Sequence, residues 1–144
     1  MIHAARHWSG ERIAAVGAAV AVFLAIGAGL FVLGPPSDIR ARRLDAQRVD
    51  HLRQWARAID AYWADNAQLP ASLDEVRRQQ AWTQLPVADP VGRAYEYVRT
   101  GVVTYDLCGT FDRAWAPASP SGEESIWTHG AGRACFALEA RAQR

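Results

Sequence analysis

From Ile13 to Leu33 the chain runs twenty-one residues, IAAVGAAVAVFLAIGAGLFVL, without one charged or strongly polar side chain. At 1.5 Å rise per residue a helix of this length spans about 30 Å, the thickness of a bilayer's hydrocarbon core. Lipid offers the backbone no hydrogen bonds, so a lone segment placed there has to satisfy its own, as a helix does. Core helices of soluble proteins rarely run beyond about 14 wholly apolar residues. A cleavable signal peptide has an apolar region of roughly 7–15 residues, and no convincing A-x-A site stands before Gly34. The sequence therefore predicts an uncleaved signal anchor. Residues 1–12 form an amino-terminal cytoplasmic tail, 13–33 the transmembrane helix, 34–37 a Gly/Pro joint and 38–144 a soluble domain.

Within the anchor, Gly17, Ala21, Ala25 and Gly29 lie four apart and line one stripe, a candidate surface for close approach of a second helix. Ten of the twenty-one residues are Gly or Ala, so composition alone also produces such a stripe. Orientation has two opposed signals. Arg6 and Arg12 precede the span, whereas Arg40, Arg42, Arg43 and Arg48 follow it, and the excess mildly favours a cytoplasmic carboxyl-terminal part. The two cysteines argue the other way, as set out below.

Sixteen basic residues, all arginine, face fifteen acids, a net charge of +1. A nucleic-acid binder normally carries a large positive excess, and the soluble part, with fourteen arginines and fourteen acids, has none. Without lysine, Schiff-base chemistry and P-loop phosphate binding through lysine are excluded.

Gly34-Pro35-Pro36 ends the membrane helix, and Ser37 or Asp38 can cap the next. From about Ile39 to Asn66, Val49, Leu52, Ala56, Ile59 and Trp63 repeat at 3,4,3,4 spacing, widened by Trp55 and Tyr62, which predicts an amphipathic helix with one face for a core. Asn66-Ala67-Gln68-Leu69-Pro70 closes it. Ser72-Leu73-Asp74-Glu75 has the spacing of a capping box and starts a short helix to about Gln80. Asp89-Pro90-Val91-Gly92 reads as a turn. Tyr95 to Val98 and Val102 to Leu107 read as strands joined at Thr100-Gly101, and Cys135 to Leu138 as a last strand. Asp112 to Gly132, with its Ala-Pro-Ala-Ser-Pro-Ser-Gly run, reads as a long surface loop. The fold class expected is α+β: a single amino-terminal transmembrane helix, then a long amphipathic helix packed on a small antiparallel sheet.

A domain of about 100 residues buries only some two-thirds of its chain surface, so a covalent staple would help it. Cys108 and Cys135 are the two cysteines, and nothing near them resembles C-x-x-C or a haem motif. Following an export signal they are read as a structural disulfide, which places the domain outside the cytoplasm. The competing reading is two buried thiols in a cytoplasmic domain.

The order of these signals is similar to the globular part of type IV pilin-like proteins, particularly type II secretion pseudopilins: a long amino-terminal helix, the turn at 66–70, a short helix, then a D-P-x-G turn entering a sheet at Asp89 to Tyr97. The chain also resembles an uncharacterised group of bacterial membrane-anchored proteins. The resemblance rests on Leu69 to Leu73, Tyr95-Glu96-Tyr97, Asp106-Leu107-Cys108 and the ending Trp127 to Phe136, and these together cover most of residues 44–138. It implies a pseudopilin-like fold and membrane placement in bacteria, not an activity. The chain departs from pilins in lacking the G-F-T-L-x-E processing site, a glutamate in the first turns of the membrane helix and the Gly/Asp-rich calcium loop. Gly34-Pro35-Pro36 also interrupts the helix that pilins continue. Filament assembly does not follow from the resemblance.

Among residues able to carry chemistry, His129 and Cys135 are the one His–Cys pair close in sequence. With Cys108 they offer a three-ligand zinc or thiol site, at a spacing unlike the usual C-x₂₋₄-C patterns. Arg133 with His129 is read as a structural pair in preference to a small anion site, Glu123 and Glu124 as solvated loop charges, and His51 as a surface residue near the helix's polar side. Of six tryptophans, Trp55 and Trp63 fit the core stripe, Trp127 the return to the sheet and Trp8 the membrane interface. Trp82 and Trp115 lie in connecting segments and are the candidate contact surface. The function expected is therefore non-catalytic and cofactor-free: a membrane-anchored extracytoplasmic interaction module or accessory subunit of an envelope complex, partnered by another membrane or envelope protein or by a second copy. The alternatives are a pseudopilin-like subunit of a secretion or pilus system, and a metal- or thiol-dependent enzyme using His129 with Cys108 and Cys135.

Overall fold

The computed structural model describes residues 10–33, 36–81, 83–117 and 122–141. The chain falls into two compact units, Met1–Ile39 and Arg40–Arg144. The expected interfacial Trp8, the residues Gly34-Pro35 of the joint and the candidate contact residue Trp82 lie outside the described residues.

Helix α1 covers Gly10–Leu33 and contains the whole apolar run. It is long and apolar enough to cross a membrane, and none of its apolar window is buried. Phe23, Leu24 and Phe31 are exposed along it. The small-residue stripe is on its surface: Gly17, Ala21 and Ala25 are exposed and Gly29 half-buried. A Cβ added at Gly17 or Gly29 would meet nothing within 4 Å.

Helix α2, Pro36–Asn66, starts earlier than capping by Ser37 or Asp38 implies. Pro36 occupies the first turn, where a missing N–H is no loss, and Asp38 there complements the helix dipole. Of the expected stripe, Val49, Leu52, Trp55, Ile59 and Tyr62 are buried, and Ala56 and Trp63 pack half-buried against the core; Asp45, Arg48 and Ala58 are buried beside them. The helix stops at Asn66, where Ala67 takes a left-handed φ of 54° and its N–H donates to the Trp63 carbonyl at 2.8 Å.

Helix α3, Leu73–Gln79, is capped by Ser72, whose Oγ accepts the Glu75 N–H at 3.3 Å. The reciprocal arm differs from a capping box: the Glu75 carboxylate accepts the N–H of Ala71 at 2.6 Å rather than that of Ser72. Its other oxygen accepts the Tyr62 hydroxyl at 2.9 Å and so joins α3 to α2.

The sheet has three antiparallel strands, β1 (Glu96–Arg99), β2 (Thr104–Phe111) and β3 (Gly132–Glu139), in the order β1-β2-β3. Both β2 and β3 run longer than their residue preferences indicate, because eight consecutive positions pair across them. In the β1–β2 turn the N–H groups of Thr100 and Gly101 both donate to the Thr104 carbonyl at 3.0 Å. A Cβ at Gly101 would meet the Thr104 hydroxyl and require that side chain to rotate. The core lies between α2 and one face of the sheet: Leu52, Ile59, Tyr105, Leu107, Phe111 and Phe136 are among its buried members. The domain is thus α+β, a long helix on a small antiparallel sheet.

In its described parts, 112–117 and 122–132, the segment between β2 and β3 carries local structure beyond the expected surface loop. It holds a 3₁₀ turn, η1, at Glu123–Trp127, and Trp115 and His129 exchange backbone hydrogen bonds at 2.8 and 3.0 Å. The reason is burial: Trp127 and His129 are 5% and 6% exposed, so their aromatic rings draw the segment onto the core.

Candidate functional site

Arg48 is wholly buried on the core row of α2. A guanidinium taken out of water has to be paired, and three carboxylates converge on this one. Its Nε donates to Asp89 Oδ2 at 2.9 Å, and its Nη1 to Asp45 Oδ1 at 2.5 Å and Asp112 Oδ2 at 2.8 Å. Asp45, one turn earlier on α2, also accepts the backbone N–H groups of Asp112 and Arg113 at 2.9 and 2.8 Å. Asp89 opens the expected turn, in which the Gly92 N–H donates to the Asp89 carbonyl and Gly92 takes a φ of 90°. Its side chain accepts from the N–H groups of Val91 and Arg93 at 3.0 and 2.7 Å and from Arg93 Nε at 2.9 Å.

Burial pushes the Asp89 carboxyl up, but the backbone hydrogen bond from Arg93, the guanidinium groups of Arg48 and Arg93 and the Val91 N–H outweigh it and hold the group at about 2. For Arg48, burial works against the charge, and the bonds to Asp112, Asp45 and Asp89 more than restore it. This buried cluster clamps the start of the 112–117 segment to α2. It was missed because Arg48 reads as one of the cations following the membrane span. The available signal was its phase, since position 48 continues the 52, 55, 59, 62 row backwards.

Above the clamp a cleft of about 360 Å³ opens between α2 and the returning segment. Arg42, Asp50 and Arg53 line one wall, and Arg113, Trp115, Glu124 and His129 line the other. Trp115 is 40% exposed, so of the two candidate contact tryptophans the described one does present surface. It is held from beneath: its ring stacks on His129 at 6.3 Å between centroids, and His129 stacks on Phe111 at 3.8 Å. Trp127 extends the cluster by packing on Phe136 at 4.9 Å, and the Arg53 guanidinium lies 5.7 Å over its indole.

The remaining candidates separate as follows. Cys108 and Cys135 are directly opposed on β2 and β3 and form a disulfide. His129 lies on the core side, with Nδ1 3.1 Å from the Gly130 carbonyl; the oxidised cysteines supply no thiolates to join it. Among the described residues no group of three or more His, Cys, Asp and Glu is placed to hold a metal ion. Arg133 does not pair with His129; it reaches across the sheet to Glu96 at 2.7–3.2 Å, where charge attraction is stronger than to a ring turned into the core. His51 is half-buried rather than a surface residue, because its Nδ1 shares a 2.9 Å hydrogen bond with the buried Tyr95 hydroxyl. Glu123 and Glu124 are consecutive in η1, not in an extended loop.

No protein-family model matches the chain, and no curated protein or solved structure is significantly similar to it.

Proposed function

We propose that the chain is a single-span membrane protein whose disulfide-bonded domain stands on the extracytoplasmic side of a bacterial plasma membrane and serves, without catalysis, as a docking module or accessory subunit of an envelope complex. The observation that carries the reading is Trp115. A large aromatic side chain is left 40% exposed on a segment tied to α2 through Asp112 and the Arg113 N–H, beside a cleft lined by arginines and carboxylates. Rigid aromatics flanked by arginine are the composition of binding hot spots, where ordering a side chain loses little entropy. The cleft's charges of both signs favour a protein surface over a single small anion. The disulfide supports placement outside the reducing cytoplasm and is weighed above a small difference in flanking arginines. The helix-on-meander layout accords with a pseudopilin-like head, and nothing further favours a filament role.

The test is purification of the tagged full-length protein in mild detergent, with stoichiometric companions identified and the purification repeated with Trp115→Ala. The reading expects a companion that the variant loses by tenfold or more while keeping the wild-type circular dichroism. A monodisperse monomer with no companion, or a companion indifferent to Trp115, would count against it.

A further inference from the structure

β3 has β2 on one side and, among the described residues, no strand on the other. Which of its peptide groups face outward follows from the ladder. The Ala140 N–H donates to the Val103 carbonyl at 2.8 Å, one pair beyond Thr104↔Glu139. Hydrogen-bonded and non-bonded pairs alternate in an antiparallel ladder, so the even-numbered residues of β3 bond to β2. Cys108 and Cys135 agree, with Cα atoms 4.0 Å apart, the closer spacing of a non-bonded pair. Arg133, Cys135, Ala137 and Glu139 therefore turn their N–H and C=O groups away from the sheet. No partner among the described residues reaches those groups.

Edge strands are normally blunted by proline, by charged side chains and lysine above all, by a bulge or by a covering element; the charges of β3 stand near its two ends, at Arg133 and Glu139. β3 has no proline or lysine, and its register with β2 is unbroken over eight pairs. Arg133 is drawn across the sheet toward Glu96. Beside residues 137–139 runs a groove of about 760 Å³ bounded by Ala56 and Arg57 of α2 and by Ile126 of η1, with charged side chains of both signs, Asp60 and Arg141 among them, also lining it. Donors and acceptors recurring every two residues, about 6.8 Å apart, are matched by another extended backbone and not by a compact ligand.

We infer that β3 accepts an extended segment of a partner protein as a fourth strand, with apolar side chains at alternate positions dipping into the groove against Ala56, Ile126 and Leu138. This surface goes beyond the Trp115 cleft and does not depend on it.

The probe is a displayed library of eight-residue segments, apolar at alternate positions and randomised between, selected on the full-length protein in detergent. Ala137→Pro removes an outward N–H without breaking a bond to β2, and wild-type circular dichroism and urea midpoint are required of it before selection; Ala137→Thr keeps the N–H. Binders are expected to be enriched at least tenfold on the wild type and on Ala137→Thr relative to Ala137→Pro, and equally on Trp115→Ala. A selected segment slows amide exchange at 133, 135, 137 and 139. Absence of enrichment, equal enrichment on Ala137→Pro, or slowing confined to other amides would overturn the inference. So would a wild-type dimer that Ala137→Pro dissolves, because the occupant would then be a second copy of this chain.

Discussion

At position 48 a guanidinium fills a place on the core row that Leu52 and Ile59 fill further along, and it is tolerated because three carboxylates meet it. Removing the cation leaves buried Asp45 with backbone N–H donors alone and buried Asp89 with Arg93 as its one guanidinium, and breaking a buried pair costs about 3–5 kcal/mol. Arg48→Met is expected to lower domain stability by that amount, read from the urea unfolding midpoint. The pH dependence has a definite sign. The folded carboxyl of Asp89 sits at about 2, below its unfolded range, so its contribution is present above roughly pH 4 and is lost as pH falls toward 2. By linkage it amounts to about 2 kcal/mol. Thermal unfolding from pH 5 to 2 should show this loss, and Asp89→Asn should flatten it. Little of the cluster was legible in the sequence. Arg48 had the phase of the core row but the chemistry of a solvated side chain, and its acids Asp89 and Asp112 lie 41 and 64 positions away.

Elements whose cause is local were the most legible. Lipid demands about 20 apolar residues in one run, so α1 is visible without its surroundings. Ser72 announces α3 through its spacing to Glu75, although not the diversion of the Glu75 carboxylate to Ala71, which depends on where the preceding turn packs. Ser72→Ala is expected to cost about 1 kcal/mol in thermal or denaturant unfolding. Strand ends were less legible. β2 and β3 extend because each pairs with the other, a condition absent from either segment alone. The prolines, serines and glycines between 112 and 132 read as a loop; burial of Trp127 and His129 gives the described residues 122–132 their local structure. The disulfide was legible as a pairing because only two cysteines are present. It closes a separation of 27 residues, and a variant with serine at both positions is expected to lose roughly 3–4 kcal/mol on the chain-entropy estimate. The change should appear as a lowered unfolding midpoint relative to the oxidised wild type.

For the whole molecule, an apolar helix, a stapled α+β domain and, among the described residues, the exposed Trp115 are what the proposal of an anchored module beyond the membrane rests on. Trp115 was legible as a candidate only from its place between predicted elements; its exposure depends on the clamp beneath it, which sequence patterns did not reveal. The arginine count around the span and the cysteine pair point to opposite sides, so the account stands on where the disulfide forms. Cells producing the full-length protein can be quenched in acid, denatured, and labelled with maleimide-polyethylene glycol with and without prior reduction. The account predicts no mass shift before reduction and two added polymers after it. Two polymers on the unreduced protein would contradict it, returning the domain to the reducing side of the membrane.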